Sequence, residues 1–408
     1  MNILIITQLY PQPDDYGENK PTKTVEYFAK EWVEMGHNVI VAHCSSKFPK
    51  AFYIIPPAIK NKLAGATSNI FPPMSSRKKI VREEYGIKVY RFPMLKALPG
   101  RGYSENAMMK QSKEICEILD SKKFKPDIVV GHFANPSTEL VANISEYYGA
   151  KSSIVFHGDC NEATVEKYRI RENVKRIKVT GVRSETEARE VKKILNLPKL
   201  PFICCSGVPN AAINTAEENS EKQNYENGIK YIYVGSFIER KHVDKIISAF
   251  DKIAEENDTL TIVGGGPEEN KLKELAKRCA HSGQIVFTGK VPREKVLQYM
   301  KDAHIFTLVS TGEVFGMVYI ESMLQGCITI ASRAGGFDGI IKDGQNGFIC
   351  EAGNEKELIE TYKKIKSLKA VELNQIGNNA IQTALHYSER EVAENYLNDI
   401  LSGNEENK

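Results

Sequence analysis

The chain alternates unbroken apolar runs of strand length with longer segments whose apolar residues recur at helical spacing. In the first half the runs are NILIIT (2–7), NVIVAHC (38–44), KVYRFP (88–93), DIVVGHF (127–133), SSIVFHG (152–158), IKVTGVR (177–183) and PFICCSG (201–207). A strand wet on one face alternates apolar with polar residues. Most of these runs do not, so both faces are covered, and the helical segments between them predict a parallel sheet. One helix is predicted from Pro21, a favoured first helical residue, to a stop near Gly36.

Residues 208–227, VPNAAINTAEENSEKQNYEN, break the alternation and read as a polar linker. It then restarts. YIYVGSF (231–237) precedes a helix from about Lys241, TLTIVGGG (259–266) a helix over 268–281, and QIVFTG (284–289) a helix over 293–301. HIFTLVS (304–310) precedes a helix over 316–325, and CITIAS (327–332) follows. The expected fold is α/β, with two Rossmann-like parallel-sheet domains, residues 1–207 and 228–387, facing a central cleft. Ligands are then expected outside the carboxyl ends of the strands. The segment 388–402 opens on a Ser388 cap and reads as a terminal amphipathic helix, free by its pattern to pack anywhere on the surface, the first domain included.

Composition narrows this little. The 408 residues are too many for one ordinary core, and a net charge of +3 argues against nucleic acid as a partner. The eight cysteines show no zinc-like pairing, and several lie in apolar runs, so they read as buried thiols in a reducing compartment. MNILIIT lacks a basic leader, and no apolar stretch is long enough to span a bilayer. A cytoplasmic protein, peripheral at most on the inner face of the membrane, is expected.

The sharpest chemical question lies in TGEVFGMVYIESML (311–324). Glu321 interrupts a helix that is apolar almost all round, and Glu313 lies on the loop before it. A buried carboxylate needs partners. Either a lysine or arginine of the protein holds Glu321, or a ligand hydroxyl does. The helix start around Phe315, Gly316, Met317 and Val318 presents backbone N–H groups and a positive dipole end suited to phosphate. In YVGSFIERKHV (233–243) a strand ends at Gly235, and Arg240 and Lys241 begin the next helix, where a cation suits a diphosphate. The turn VGGGPEE does not fit G-x-G-x-x-G.

These residues resemble retaining GT-B glycosyltransferases, specifically glycosyltransferase family 4. Glu313 and Glu321 match its E-x7-E motif. VGSFIERKHVDKII is similar to its glycine–arginine–lysine segment and IVGGGPEENKLKELA to its I-V-G-x-G-P stretch. IVFTGKVPREKVLQYM and DGQNGFIC look like two further segments, and MNILIITQLYP, EMGHNVIVA, PDIVVGHF and VFHGD agree more loosely. The resemblance implies that Glu321 bonds the nucleotide ribose and that Glu313 contacts the transferred sugar. It implies that Lys241 binds diphosphate, that backbone near Val291 lies by the base, and that Gly235, Ser236, Arg240 and Gly265 complete the donor site. His157 in FHGD matches the family histidine near the sugar and joins Glu313 in the catalytic set. Gly17 and Lys20 on the first loop, with His132, Asn135 and Asp159, would meet acceptor or phosphate. There are departures: Ser236 replaces the family arginine, with Arg240 as a substitute, and only Gly17 stands where two glycines are common.

The implied reaction moves a sugar from a nucleotide diphosphate, UDP favoured, to an acceptor hydroxyl with retention. No cofactor is expected, and no metal, since there is no D-x-D. Residues 47–82 carry Lys47, Lys50, Lys60, Lys62, Arg77, Lys78, Lys79 and Arg82 among apolar anchors and hold no acidic residue. That suits an anionic membrane surface, hence a lipid-linked glycan acceptor in cell-surface polysaccharide assembly. A nucleotide-sugar epimerase, a sugar transferase acting on a soluble acceptor and a two-lobed sugar-binding protein are the competing readings.

Overall fold

A computed structural model describes residues 1–12, 22–56, 59, 74–96, 98, 100–216 and 225–403. The chain divides into two compact units. The first holds 1–183, 187–204 and 393–408; the second holds 184–186 and 205–392.

The first unit is built on β1 (Asn2–Thr7), β2 (Asn38–His43), β3 (Ser46–Lys47), β4 (Ile80–Glu84), β5 (Ile87–Arg91), β6 (Met94–Leu95), β7 (Ile128–His132), β8 (Lys151–Val155), β9 (Val179–Val182) and β10 (Phe202–Ile203). The main sheet runs β10-β9-β8-β7-β1-β2-β5-β4, parallel except for the β4–β5 pair. β3 and β6 form a separate small pair. The apolar runs form the centre: Ile3, Leu4, Ile5 and Ile6 are buried, as are Val129 and Val130. Gly131 lets the helix Ser137–Tyr148 close on β7, since a Cβ there would lie 2.7 Å from Val141 Cγ2.

The second unit contains β11 (Lys230–Ser236), β12 (Thr259–Gly265), β13 (Ile285–Gly289), β14 (Ile305–Leu308), β15 (Ile328–Ser332) and β16 (Phe348–Cys350). Its sheet runs β13-β12-β11-β14-β15-β16, all parallel, which is the Rossmann order. The strand order reverses between β11 and β14. At Gly264 φ is +138°, and a Cβ would fall 1.9 Å from the Gly235 carbonyl oxygen, so only glycine fits where β12 ends beside β11.

Several boundaries differ from the sequence expectation. The helix expected from Pro21 begins at Thr24 and ends at Glu34, with Pro21 outside the described residues. The segment read as a linker holds a helix, Asn210–Ala216, and a short 3₁₀ turn, Tyr225–Asn227. Val208 is wholly buried and bridges to Ser388, so the second unit already begins at Cys205. Polar composition hid that anchoring, because one buried apolar residue is enough to tie a segment down. The terminal helix, Glu389–Ser402, is capped by Ser388 Oγ, which accepts from the Glu391 N–H at 3.0 Å. From Ala393 onward it belongs to the first unit, where Trp32 Nε1 donates to the Ala393 carbonyl at 3.0 Å. Tyr396 packs there against Phe28, Trp32 and Phe202. The eight cysteines are thiols, not disulfides. Among the described residues no helix is long and apolar enough to cross a membrane.

Candidate active site

In the second unit the loops after β11 and β14 meet where the strand order reverses. The Thr311 N–H donates to the Arg240 carbonyl at 2.8 Å, and His242 Nε2 lies 2.8 Å from Thr311 Oγ1. This stitching brings Lys241 Nζ onto Glu313 Oε2 in a direct ion pair, with Arg240 Nη1 at 3.9 Å from the same oxygen. Lys241 and Glu313 are mostly covered, whereas Arg240 is exposed. The pair therefore sits at a sheet's carboxyl end, with a second cation able to reach it.

The helix Met317–Leu324 explains its own carboxylate. Tyr319, Ile320, Ser322, Met323 and Leu324 are buried, while Met317, Val318 and Glu321 are only half-buried. Positions 317, 318 and 321 share one face at helical spacing, so Glu321 lies on the side the core leaves open. Its partner is Arg293, whose Nη2 lies 2.5 Å from Glu321 Oε1. Burial pushes the Glu321 carboxyl above the usual carboxylate range, and the Arg293 guanidinium opposes that rise. The protein-held alternative for Glu321 is thus the arrangement present here. Gly316 caps the helix at φ +76°, and a Cβ would meet the Tyr319 ring at 2.7 Å. The turn is tight enough to aim the helix start beside Glu313 Cγ, itself 3.2 Å from that Cβ position.

The remaining donor candidates fall around this end of the sheet. Gly235 and Ser236 end β11, where Tyr233 Oη donates to the Ser236 carbonyl at 2.9 Å. Gly265 ends β12, and a Cβ there would touch the Glu269 and Lys290 side chains. Val291 packs partly against the core. The Phe315 ring is buried beside Phe337 and Tyr387, which leaves its backbone, not its side chain, for ligand contact.

The first unit has a separate cluster. β7 and β8 pair in parallel, so His132 and His157 emerge at adjacent strand ends. His132 Nδ1 lies 3.1 Å from His157 Nε2. Phe133, at φ 67°, stacks its ring on His157 with centroids 4.2 Å apart. His132 is wholly buried, flanked by Phe28 and Tyr396, and its Nε2 makes no hydrogen bond. Burial and then the Arg183 charge push the His132 imidazole down to about 3 and hold His157 well below its ordinary value. Both rings are therefore neutral at physiological pH and offer directional hydrogen bonds without charge. Asp159 does not touch the His157 ring. Its carboxylate accepts the backbone N–H of His157 at 3.0 Å and of Ala134 at 2.6 Å, locking the two loops together. Asn135, read as an acceptor or phosphate contact, lines a small cavity. Gly17 and Lys20 lie outside the described residues.

Sequence reading missed Arg293, His242 and Thr311 in the second unit, and Arg183 and Glu187 in the first. Glu187 accepts from the backbone N–H groups of Gly158 and Arg183 at 2.7 and 2.8 Å, holding the histidine loop. For Arg293 the signal lay in "VPREK", a cation opening the helix that follows β13.

Residues 214–383 match the family model described as glycosyl transferases group 1. The chain is similar to N-acetyl-alpha-D-glucosaminyl L-malate synthase of Bacillus anthracis, 32% identical over 144 residues, which covers 35% of this chain and 37% of that protein. It is also similar to TuaC of Bacillus subtilis, a glycosyltransferase whose name assigns it to teichuronic acid biosynthesis, at 26% identity over 354 residues and 82% of each chain. Several curated matches therefore span only about a third of the relative's length. Among solved structures, Anabaena HepE in complex with UDP shares the fold, with a TM-score of 0.61 at 14% identity over 98% of this chain and 100% of that one.

Proposed function

From a second unit whose residues 214–383 match the glycosyl transferases group 1 model, we propose that the chain is a retaining glycosyltransferase. It moves a sugar from a nucleotide diphosphate, UDP favoured, to a hydroxyl of a glycan acceptor. The observation that carries this reading is the Lys241–Glu313 pair at the strand-order reversal, one helix start away from Glu321.

In this reading the diphosphate takes Lys241 and Arg240, with the helix start at Gly316 adding its N–H groups. Glu313, released from Lys241, accepts hydrogen bonds from the sugar. Ribose hydroxyls replace Arg293 on Glu321. The bond between the anomeric carbon and the phosphate oxygen breaks, and the acceptor oxygen attacks on the same face. Its proton passes to the departing phosphate oxygen, so neither glutamate is needed as acid or nucleophile. His157, neutral and fixed by its backbone and stacking contacts, orients a sugar hydroxyl. Two cations and a helix dipole provide the countercharge, and turnover is expected to persist in EDTA.

The acceptor is read as lipid-linked, in polysaccharide assembly at the cell surface. Ile54 is 82% exposed, and Ile59, Met74, Val81 and Leu95 are also exposed, as are Lys50, Lys78 and Lys79, the last paired with Glu114. Lys60 and Lys62 lie outside the described residues. Apolar anchors among lysines favour an anionic bilayer surface. The naming of TuaC and the UDP held by HepE support the polysaccharide and UDP parts of the reading.

The test is a mass-spectrometric screen of nucleotide sugars with glycan and lipid-linked acceptors. Release of UDP coupled to a product with the donor's anomeric configuration is expected. Stable binding of a sugar without turnover of any donor, or turnover to an epimer alone, removes the proposal. Flotation with phosphatidylglycerol vesicles tests the membrane part, and failure to float removes it.

A further inference from the structure

Two neutral imidazoles that face each other share one proton between their facing nitrogens. His132 Nδ1 and His157 Nε2 stand 3.1 Å apart, within hydrogen-bond distance, with the rings tilted at 60°. One of these nitrogens donates and the other accepts. The surroundings of the two outer nitrogens decide which.

The His132 ring is wholly buried, stacked on Phe28 at 5.6 Å and met edge-on by Tyr396 at 5.7 Å. Its Nε2 is sealed in without a hydrogen-bond partner. A proton on that Nε2 would strand a buried donor. A proton on Nδ1 strands only a lone pair and directs the N–H to His157. Orphaned buried N–H groups are the rarer case, so the second arrangement wins. Burial, and then the Arg183 charge, keep either ring from taking a second proton that would blur the choice.

The state of His157 follows. It accepts at Nε2, so the neutral ring carries its own proton on Nδ1. Among the described residues this ring makes no hydrogen bond except the one to His132, and its Nδ1 is not sealed in as His132 Nε2 is. His157 is half-buried. Phe133 stacks on its face, and Asp159 and Glu187 hold its loop through the backbone N–H groups of His157 and Gly158. The fixed ring is left with one open polar atom, and that atom is a donor.

We propose that His132 is a positioning residue: it fixes His157 as the Nδ1–H tautomer, so that His157 meets the transferred sugar as a hydrogen-bond donor and not as a base. Wholly buried, His132 cannot itself touch an acceptor, the role its sequence position suggested. The contact with sugar rests on the reading of this chain as a glycosyltransferase; the tautomer does not.

Histidine-selective 15N NMR of the full chain at neutral pH tests the tautomer in the native protein, with His157→Gln assigning the signals by removing them. His157 Nδ1 should show the shift of a protonated imidazole nitrogen and Nε2 that of a bare one. The reverse assignment overturns the proposal. His132→Phe fills the ring's place without a donor. It should lower kcat for sugar transfer roughly five- to tenfold, the scale of one hydrogen bond, leave UDP affinity within about twofold, and turn His157 into a mixture of tautomers. His132→Asn, whose carboxamide N–H can stand where Nδ1–H stood, should recover most of kcat and the single tautomer. Variants that lower only the melting temperature, with the His157 tautomer unmoved, overturn the proposal in favour of a purely structural His132. Absence of sugar transfer by the native chain, with the Nδ1–H signal in place, overturns the glycosyltransferase reading and leaves the tautomer standing.

Discussion

The two sheets share a strand order around their reversal points, yet their carboxyl ends carry opposite chemistry. In the second unit, β11 and β14 deliver an ion pair, Lys241 with Glu313, and a further cation, Arg240. In the first, β7 and β8 deliver two imidazoles kept neutral by burial. The difference follows from what each loop can solvate. Lys241 and Glu313 retain some exposure and pair with each other. His132 is sealed among Phe28, Tyr396 and the sheet, where a charge has no counterpart. On the proposed reading, the charged end exchanges its ion pair for a diphosphate and the neutral end meets uncharged hydroxyls.

The largest expected effect breaks the charged end. Lys241→Met should lower kcat/KM about 100-fold, near 2.7 kcal/mol, the scale of a charge-assisted hydrogen bond to a phosphate. UDP affinity should fall with it. If kcat/KM stays within about threefold, Lys241 serves only to neutralise Glu313, and the contrast between the two sheet ends loses its functional meaning.

Much of this contrast was legible beforehand. Buried parallel strands appear as continuous apolar runs, so β1, β2, β7, β11, β12, β14 and β15 stand out. β4 did not: it is an exposed edge strand, pairing antiparallel with β5 and showing no apolar run. Glu313, Glu321, Lys241 and His157 were readable because each sits at a strand end or breaks an apolar helix. Their protein partners were not. The pairing of Arg293 with Glu321 depends on how the helix after β13 is placed against the helix after β14, which no local pattern encodes. For Asp159, read as an acceptor or phosphate contact, the bonds to two backbone N–H groups were hidden because they depend on where the neighbouring loop comes to rest.

The neutral end can be broken by pH. His132 has a folded value near 3 against an ordinary 6.5, so the unfolded chain binds the extra proton between those limits. Stability should therefore fall as pH drops from about 6.5 towards 3, by up to about 1.4 kcal/mol per pH unit for this one group. His132→Asn, which stays neutral, should flatten that slope in urea titrations while costing some stability at pH 7. An unchanged slope would mean that His132 is charged in the folded state or is not the group that titrates.

Glu321 has the reverse sign and a smaller effect. Burial raises its folded value, so the folded chain holds the proton over a window above the ordinary carboxylate value. This contribution is favourable below the unfolded value and is lost as pH rises through the folded one. Glu321→Gln removes the titration, so its thermal stability relative to the native protein should improve from pH 4 to pH 7 as UDP affinity falls. A stability difference that does not move with pH would show Glu321 to be fully compensated by Arg293.

The smallest effect separates the two roles open to Arg293. Its side chain is 41% exposed, so the ion pair with Glu321 is screened by water and contributes little to stability. Arg293→Met should leave the melting temperature almost unchanged. If Arg293 keeps the Glu321 carboxylate ionised until ribose hydroxyls replace it, its loss raises the carboxyl's proton affinity further. UDP affinity then stays within about threefold at pH 8 but falls away at a higher pH on acidification than in the native protein. If Arg293 is only a structural partner, the pH profile of UDP binding keeps its position. Glu321→Gln should abolish the profile in both backgrounds, which ties any displacement to that carboxylate and to nothing else in the second unit.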